Sequence, residues 1–467
     1  MAIPRRALTA VAAAFVCALA GAAAAGSSPV NWTRVTQPGL RNIDQISLAR
    51  TGDGVLHLAW VKPRPGGSAD LMHGTITAAG AVGPQAPALA NWSSLANPTI
   101  LNGAEGLQLL FAGVRSSTSS DPYAGGTVYR AQGGAAGAAW TLDANPVAPP
   151  SSAYSSDVVA AALDGSGGLV TAWASTSSTA VHRGDDPSTP ATPVQAACCG
   201  YQTGLARDGA TGGVALAWFS NATGQQGWHA RAVSPALGVD RYLPGSGDAA
   251  RANAVPPSQQ AAVSGRIGAP GVYVLYGTGY PTWTGLSLIN ASTGQVRPQR
   301  LPDGTTVRRV ALAAAPAGRL WLAWYDGNAV WVTRTNGAAT SHCFTVGIPL
   351  PAGATDVWQL KAEGSAGPLD LLVSATVGGS IAYWHDRVEP ALCAVWRTAL
   401  TATTQRVSLS DAGDPVAGVR VLVDGRPVAV DERGEAQFTL APGRHRFLAT
   451  APGYRPWPAE VTVPAQR

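Results

Sequence analysis

One phrase recurs along this chain: small apolar residues, a glycine turn, an apolar strand ending in an aromatic, a polar loop and a further short strand. It reads SLARTGDGVLHLAWVKP from Ser47 to Pro63, VVAAALDGSGGLVTAWAS from Val158 to Ser175, TGLARDGATGGVALAWFS from Thr203 to Ser220, and VALAAAPAGRLWLAWYDGNAVWVTR from Val310 to Arg334. A unit made only of strands cannot bury both of its faces, so its copies must pack on one another around an axis or along a line. The phrase constrains architecture strongly and chemistry hardly at all.

Three weaker copies complete the set: NPTILNGAEGLQLLFAG from Asn97, AAVSGRIGAPGVYVLYG from Ala261 and LKAEGSAGPLDLLVSA from Leu360. The second strands then centre on Trp60, Phe111, Trp173, Trp218, Tyr276, Trp324 and Val373, about 45 to 62 residues apart. That spacing suits four strands per unit. Small side chains crowd each first strand, as required where strands converge on a narrow channel, and aromatics fall on the second and third, where the units fan out. The chain is therefore expected to be all-β, a seven-bladed β-propeller over residues 27–400. In its turn, strand and aromatic phrasing this region resembles the sialidase-like, Asp-box propellers. A degenerate box stands at Ser119-Ser120-Asp121 to Gly125-Gly126. The three-arginine carboxylate clamp of that family has no residue-by-residue counterpart, so the resemblance implies the fold and not the activity.

From Gln405 the rhythm changes. Val419, Val421 and Val423 alternate, as do Phe438 and Leu440, and Asp424-Gly425 marks a tight hairpin. Pro415-Val416-Ala417-Gly418, Asp431 with Gly434, Pro442-Gly443 and Ala451-Pro452-Gly453-Tyr454 resemble the carboxypeptidase regulatory-like family. The resemblance implies a transthyretin-like β-sandwich over 401–467, a non-catalytic accessory.

The amino terminus carries Arg5-Arg6, an apolar stretch from Ala7 to Ala20 and small residues to Ala25, the pattern of a secretory signal (1–26) cleaved near Ala25. Pro4-Arg5-Arg6-Ala7-Leu8 is a partial twin-arginine pattern, which leaves the export route open. No later apolar run reaches the ~20 residues that span a bilayer. A secreted, extracellular, bacterial protein is expected, without a membrane span and as a monomer. Of 467 residues 46% are hydrophobic and 13% charged, and the net charge of +5 comes with no basic run. Nucleic acid is excluded as a partner on that ground. Basic residues are arginines except Lys62 and Lys361.

The exported chain keeps Cys198, Cys199, Cys343 and Cys393. In an oxidising compartment four cysteines suggest disulfides with three connectivities. The simplest is Cys343 with Cys393 beside a vicinal Cys198–Cys199 ring; two separate bridges are the alternative. No spacing suits a metal, and no nucleophile elbow, metalloprotease helix, phosphate loop or dinucleotide fingerprint occurs. Neither metal nor cofactor is expected. His73, His182 and His229 read as one repeat position shared with Tyr129 and Trp331, hence as structural rings.

Propellers bind ligands where the loops leading into the first strands meet the loops between second and third strands. The polar and aromatic residues expected there are Asp157, Tyr201, Tyr280, Trp283, Arg308, Tyr325 and Asp326. Rings beside carboxylates and arginines are what sugars require, because pyranose faces stack and hydroxyls need fixed polar partners. Binding of glycans or cell-surface polymers is the leading expectation. A glycoside hydrolase or polysaccharide lyase is the alternative, using acids among Asp44, Asp121, Asp157 and Asp326, and a protein-docking scaffold is the third. The sequence alone leaves open whether the chain is an enzyme.

Overall fold

The computed structural model describes residues 31–115, 126–134, 137, 139–148, 159–174, 178–195, 200–247, 261–343, 345–398 and 404–463. The leader, Asp121, Asp157, Cys198 and Cys199 lie outside them. Among the described residues the regular structure is entirely β. Seven antiparallel sheets follow one another along the chain, their strands hydrogen-bonded mostly in chain order. Their innermost strands are Ser47–Arg50, Thr99–Gly103, Ala160–Leu163, Gly200–Arg207, Ala262–Arg266, Arg309–Ala315 and Ala354–Glu363. Each touches the next, and the seventh touches the first. This closed ring of sheets around a central channel is a β-propeller.

The repeated phrase explains each unit. Its turn is closed by an aspartate in three copies: Asp53 Oδ1 accepts from the backbone N–H of Val55 (3.1 Å), Asp164 Oδ1 from Ser166 (2.9 Å) and Gly168 (2.8 Å), and Asp208 Oδ1 from Ala210 and Thr211 (both 2.9 Å). A side chain that satisfies turn amides in this way sets the hairpin between first and second strands. The second-strand residues from Trp60 to Val373 are all at most 4% exposed. Each lies in an apolar cluster shared by neighbouring sheets: Phe111 between sheets one and two, Trp218 between three and four, Trp324 between five and six. Burying one such ring contributes about 1.5–3 kcal/mol. No sheet buries its apolar faces alone, since each packs them against its neighbours.

The last gap is closed from the amino terminus. Thr33–Arg34 adds a strand to the outer edge of the seventh sheet, beside Trp384 and His385. The Val35 N–H donates to Tyr383 O at 2.7 Å. Tyr383, fully buried, then accepts from the Ile46 N–H (3.0 Å) and donates its own proton to Asp44 O (3.1 Å). One phenol thereby ties sheet seven to the segment leading into sheet one.

Two smaller sheets follow. Cys393–Thr398, Thr404–Ser410 and Glu435–Thr439 form one; Arg426–Val428, Arg420–Val423, Gly443–Thr450 and Trp457–Val463 form the other. They share a core that includes Val407, Val421, Ala436 and Phe447. Asp424 and Gly425 are at φ 48° and 77°, with Val423 paired to Arg426, the geometry that a two-residue hairpin demands. Cys393–Thr398 pairs with Thr404–Ser410, so these residues before position 400 belong with the terminal sheets and not with the ring.

The terminal unit is fastened to sheet six at the end of the ring opposite the loops between second and third strands. A disulfide joins Cys343 to Cys393. Asp411, 1% exposed, is ion-paired with Arg319 (2.8 Å) and Arg334, and accepts from the Tyr454 hydroxyl at 2.9 Å. The Arg334 guanidinium lies over the rings of Trp321 and Tyr454 (5.2 and 5.4 Å). Asp414 adds bonds to Arg319 (2.8 Å) and the Gly337 N–H (2.6 Å).

Candidate functional site

Five of the seven expected site residues come together on one patch, between the second-to-third-strand loops of sheets five and six. The segment Thr306 to Arg308, leading into the inner strand of sheet six, stitches the two loops. The Val307 N–H donates to Trp283 O (2.7 Å), the Arg308 N–H to Tyr325 O (2.8 Å), and Thr306 Oγ1 to Asp326 O (3.0 Å). Tyr280 and Trp283 meet edge to face with centroids 5.6 Å apart. Both are half-buried, leaving ring surface to solvent.

Trp283 sits at φ +50°, a left-handed backbone that a bulky residue adopts only under constraint. The constraint is visible: its N–H is held by Gly279 O at 2.8 Å and its carbonyl by Val307. Such strain costs on the order of 1–3 kcal/mol and clusters at functional sites. Beside this pair opens a recess of about 330 Å³, lined by Thr284, Gln299, Leu301, Asp303 and Thr305 among others. It brings a carboxylate, hydroxyls and an amide next to the aromatic platform.

The exposed Arg308 lies against Gly327, where a Cβ would meet its Cζ at 2.9 Å. With φ +113° as well, position 327 is one that only glycine fits. Arg309 behind it is mostly buried, donating from Nε to Trp358 O (2.7 Å); burial lowers its pKa, with Asp356 pulling the other way. Tyr325 is 2% exposed and donates to Gly327 O at 2.9 Å. Burial and the Asp356 charge raise its pKa, so it stays a neutral phenol and a poor nucleophile.

Asp326 is not a reactive acid. Oδ1 accepts from the Asn328 and Ala329 N–H groups (2.7 and 2.9 Å) and Oδ2 from the Trp331 indole (2.7 Å). It is a turn-closing aspartate, the use that loop geometry favours. Asp44 is likewise enclosed, 1% exposed and held by Arg41 through the backbone N–H (2.7 Å) and guanidinium. Burial pushes its carboxyl up, while Arg41 draws it down. Of the four acids, the two that are described, Asp44 and Asp326, both have their carboxylates engaged by these donors; Asp121 and Asp157 lie outside the described residues. Tyr201 lies elsewhere, packed into the seam of sheets four and five opposite Phe219.

The other polar residues leading into inner strands knit sheets together. Asn97 Oδ1 accepts from the Gln45 N–H (2.8 Å), its Nδ2 donates to Ile43 O (3.1 Å), and Gln359 Nε2 donates to Asn42 O (3.1 Å). Arg64 is bound to Asp70 and Asn91 (both 2.6 Å), and Arg115 lies over Trp92 and Tyr129.

The histidines need correction. His229 does stand opposite the second-strand aromatic Trp218, as Tyr129 does opposite Phe111 and Trp331 opposite Trp324. His182 pairs with Thr171, two residues from that place. His73 pairs with Ala59, one residue from it, and a one-residue step reverses the face. His73 instead meets His57, Nε2 to Nδ1 at 3.1 Å. Among the described residues no group of three His, Cys, Asp or Glu is placed to hold a metal ion.

Sequence reasoning missed Asp303 and Lys361. Asp303 lies in a loop without motif. Lys361 carried a signal: it is one of two lysines in an arginine-rich chain, set between Leu360 and Ala362 on an inner strand.

No protein-family model matches the sequence, and no curated protein does. Solved structures similar to the chain include a puromycin-hydrolyzing peptidase of Mycobacterium tuberculosis (12% identity, 87% of this chain and 58% of that one, TM-score 0.44). The chain spans little over half of that protein. Others are the fucose-specific lectin from Aleuria aurantia (12% identity, 75% and 93% covered, TM-score 0.39) and a mutant Trypanosoma rangeli sialidase (9% identity, 95% and 91% covered, TM-score 0.40). The fold assignment rests on the closed ring itself.

Proposed function

We propose that this chain is an exported, seven-bladed β-propeller that binds glycans or a related cell-surface polymer at the patch between sheets five and six. Its terminal sheets, from about residue 392, serve as a carboxypeptidase regulatory-like accessory. The observation that carries the reading is Trp283: a half-exposed indole held at φ +50° against Tyr280, beside a recess bearing Asp303, Thr284 and Gln299. One face of the Trp283 ring packs against the core of sheets five and six, and the rest stays open to solvent. A flat apolar platform next to fixed polar groups is what a pyranose face with its hydroxyls needs.

Binding is favoured over hydrolysis because Asp44 and Asp326 have their carboxylates committed to Arg41 and to loop donors. Most glycosidases use two available carboxyls about 5–9.5 Å apart. The test is a glycan array read with the intact protein and with Trp283→Ala, together with reducing-sugar and unsaturated-product assays on the same preparations. Retention of defined glycans, lost in the variant and without turnover, supports the reading. Turnover overturns the binding-only assignment, and retention unchanged by Trp283→Ala moves the site elsewhere.

A further inference from the structure

The seam that carries the Trp283 patch continues past it. Leu286 and Leu288 of sheet five face sheet six, sharing an apolar cluster with Leu320, Leu322 and Trp324. In the outer strand of sheet five, Val296–Gln299, Arg297 pairs with Leu288 and Gln299 with Leu286. Residues directly opposite in a ladder share a face, so Arg297 and Gln299 lie on the side toward sheet six, at the rim of the seam. Gln299 lines the recess beside Trp283 and also a second one, of about 630 Å³. The second recess, lined by Arg297, Leu288, Thr335 and His342 among others, opens near the terminal unit, where Ser341 donates to Ala412 O. Thr284 at the first recess and Leu288 at the second are separated along one extended stretch by about 13 Å of strand rise.

The second recess is basic. Arg297 spans the seam, donating from Nη1 to Ala339 O (2.5 Å) and from Nη2 to Gln295 Oε1 (3.0 Å). Both acceptors are neutral, so the charge of the guanidinium is not cancelled. No carboxylate lines this recess among the described residues; Asp414, which reaches the same loop at Gly337, is taken by Arg319 and the Gly337 N–H. The exposed Arg300 follows Gln299 in the chain. His342 is half-buried, and burial lowers its pKa; at pH 7 its neutral ring offers one donor and one acceptor to a hydroxyl. We infer that the two recesses form one groove along the seam and that it binds an acidic polysaccharide, one sugar ring on Trp283 and the anionic substituent of a nearby unit, a uronate carboxylate or a sulfate ester, against Arg297. The groove includes the Trp283 patch and so rests on the reading of that patch as the glycan site. A guanidinium holds a charged oxygen roughly twice as strongly as neutral donors and acceptors hold each other. Recesses of about 330 and 630 Å³ both fall within the ~300–1,000 Å³ of ligand sites.

The test measures affinity of the full chain for two acidic polymers, each beside a form stripped of its charge: polygalacturonate against its carboxyl-reduced form, and chondroitin sulfate against its desulfated form. The first pair reads a carboxylate and the second a sulfate. The expected result is that at least one acidic polymer binds, and that removing its anionic group weakens binding at least tenfold. This comparison uses the unaltered chain and depends on no variant folding. Arg297→Gln should erase the difference between charged and stripped polymer, Arg297→Lys should keep it, and Trp283→Ala should weaken both forms alike. Arg420→Gln, at an exposed arginine of the terminal unit, should change nothing. Binding of neither acidic polymer overturns the proposal, as does an equal loss in Arg420→Gln, which would make the attraction one of net charge. A stripped polymer held as tightly as its acidic form and lost in Trp283→Ala leaves the Trp283 patch standing and removes the acidic ligand. Acidic binding that needs Arg297 and is indifferent to Trp283→Ala overturns both the patch and the single groove.

Discussion

Cys343 and Cys393 are covalently joined with their Cα atoms 5.7 Å apart, and this bond ties sheet six of the ring to the terminal unit. It closes a loop of 50 residues in sequence, for which loop entropy gives about 4 kcal/mol of stabilisation. The bond does not act alone, because Asp411 neutralises Arg319 and Arg334 beside it. Asp411→Ala leaves two largely buried guanidiniums without that partner, at a cost of about 3–5 kcal/mol. Calorimetry should then show the terminal unit melting at lower temperature than the ring. A single transition at the original temperature would show that the cluster contributes nothing to docking.

A second prediction concerns acid. His57 Nδ1 and His73 Nε2 are 3.1 Å apart with stacked rings, and His73 also meets the edge of Trp140. One nitrogen must donate and the other accept, so the pair cannot hold a proton on both facing nitrogens. Burial and the neighbouring His57 draw the pKa of His73 down to about 4, from an ordinary 6.5; burial lowers His57 as well, with Asp53 opposing. Between these values the unfolded chain binds the proton and the folded one does not, so stability is full above about pH 6.5 and falls as pH drops toward 4. The loss should approach 3 kcal/mol for His73, and His73→Gln should flatten the unfolding midpoint measured against pH in that window. An unchanged pH profile in the variant would assign the acid sensitivity to other groups.

Much of the ring is legible because burial acts on every copy of the phrase alike: the aromatic closing each second strand has to reach the next sheet, so Trp60, Trp218 and Trp324 announce themselves. The closing strand at Thr33–Arg34 is two residues long and carries no pattern. His73 was misplaced because alternation has a period of two, and a one-residue slip, invisible in a short motif, moves a ring to the other face. Asp326 illustrates the limit for chemistry. A carboxylate before Gly327 reads equally as an acid or as a turn closer, and only the positions of the Asn328, Ala329 and Trp331 donors decide.

A third prediction tests the close approach of neighbouring sheets. The turns of sheets four and five meet backbone to backbone: a Cβ on Gly265 would lie 1.7 Å from Arg207 O, and one on Gly209 1.8 Å from Arg266 O. Neither position has a flexible side chain that can give way. Gly265→Ala should therefore cost about 3 kcal/mol or more by forcing the two sheets apart, read as a fall in the denaturant midpoint. Gly367→Ala, where nothing lies within 4 Å but φ is +112°, should cost only the backbone strain, about 1–3 kcal/mol, and so less than Gly265→Ala. Equal losses in both would remove the steric account.

The Trp283 patch can be separated from its scaffold by two substitutions with opposite signatures. Trp283→Asn keeps a residue that tolerates φ +50° while deleting the ring, so the loop held by Gly279 and Val307 should survive with an unfolding midpoint close to that of the parent. Glycan affinity should fall at least tenfold, corresponding to about 1.4 kcal/mol, since a stacking ring contributes both area and specific geometry. Asp326→Ala removes the acceptor of three donors and should lower stability by about 1–3 kcal/mol, with affinity below the melting range little changed. Titration calorimetry and thermal unfolding on the two variants therefore form a crossed pair. If Asp326→Ala abolished binding while Trp283→Asn left it intact, the aromatic platform would be a by-product of loop packing and the binding surface would have to be sought around Arg308 and Asp326.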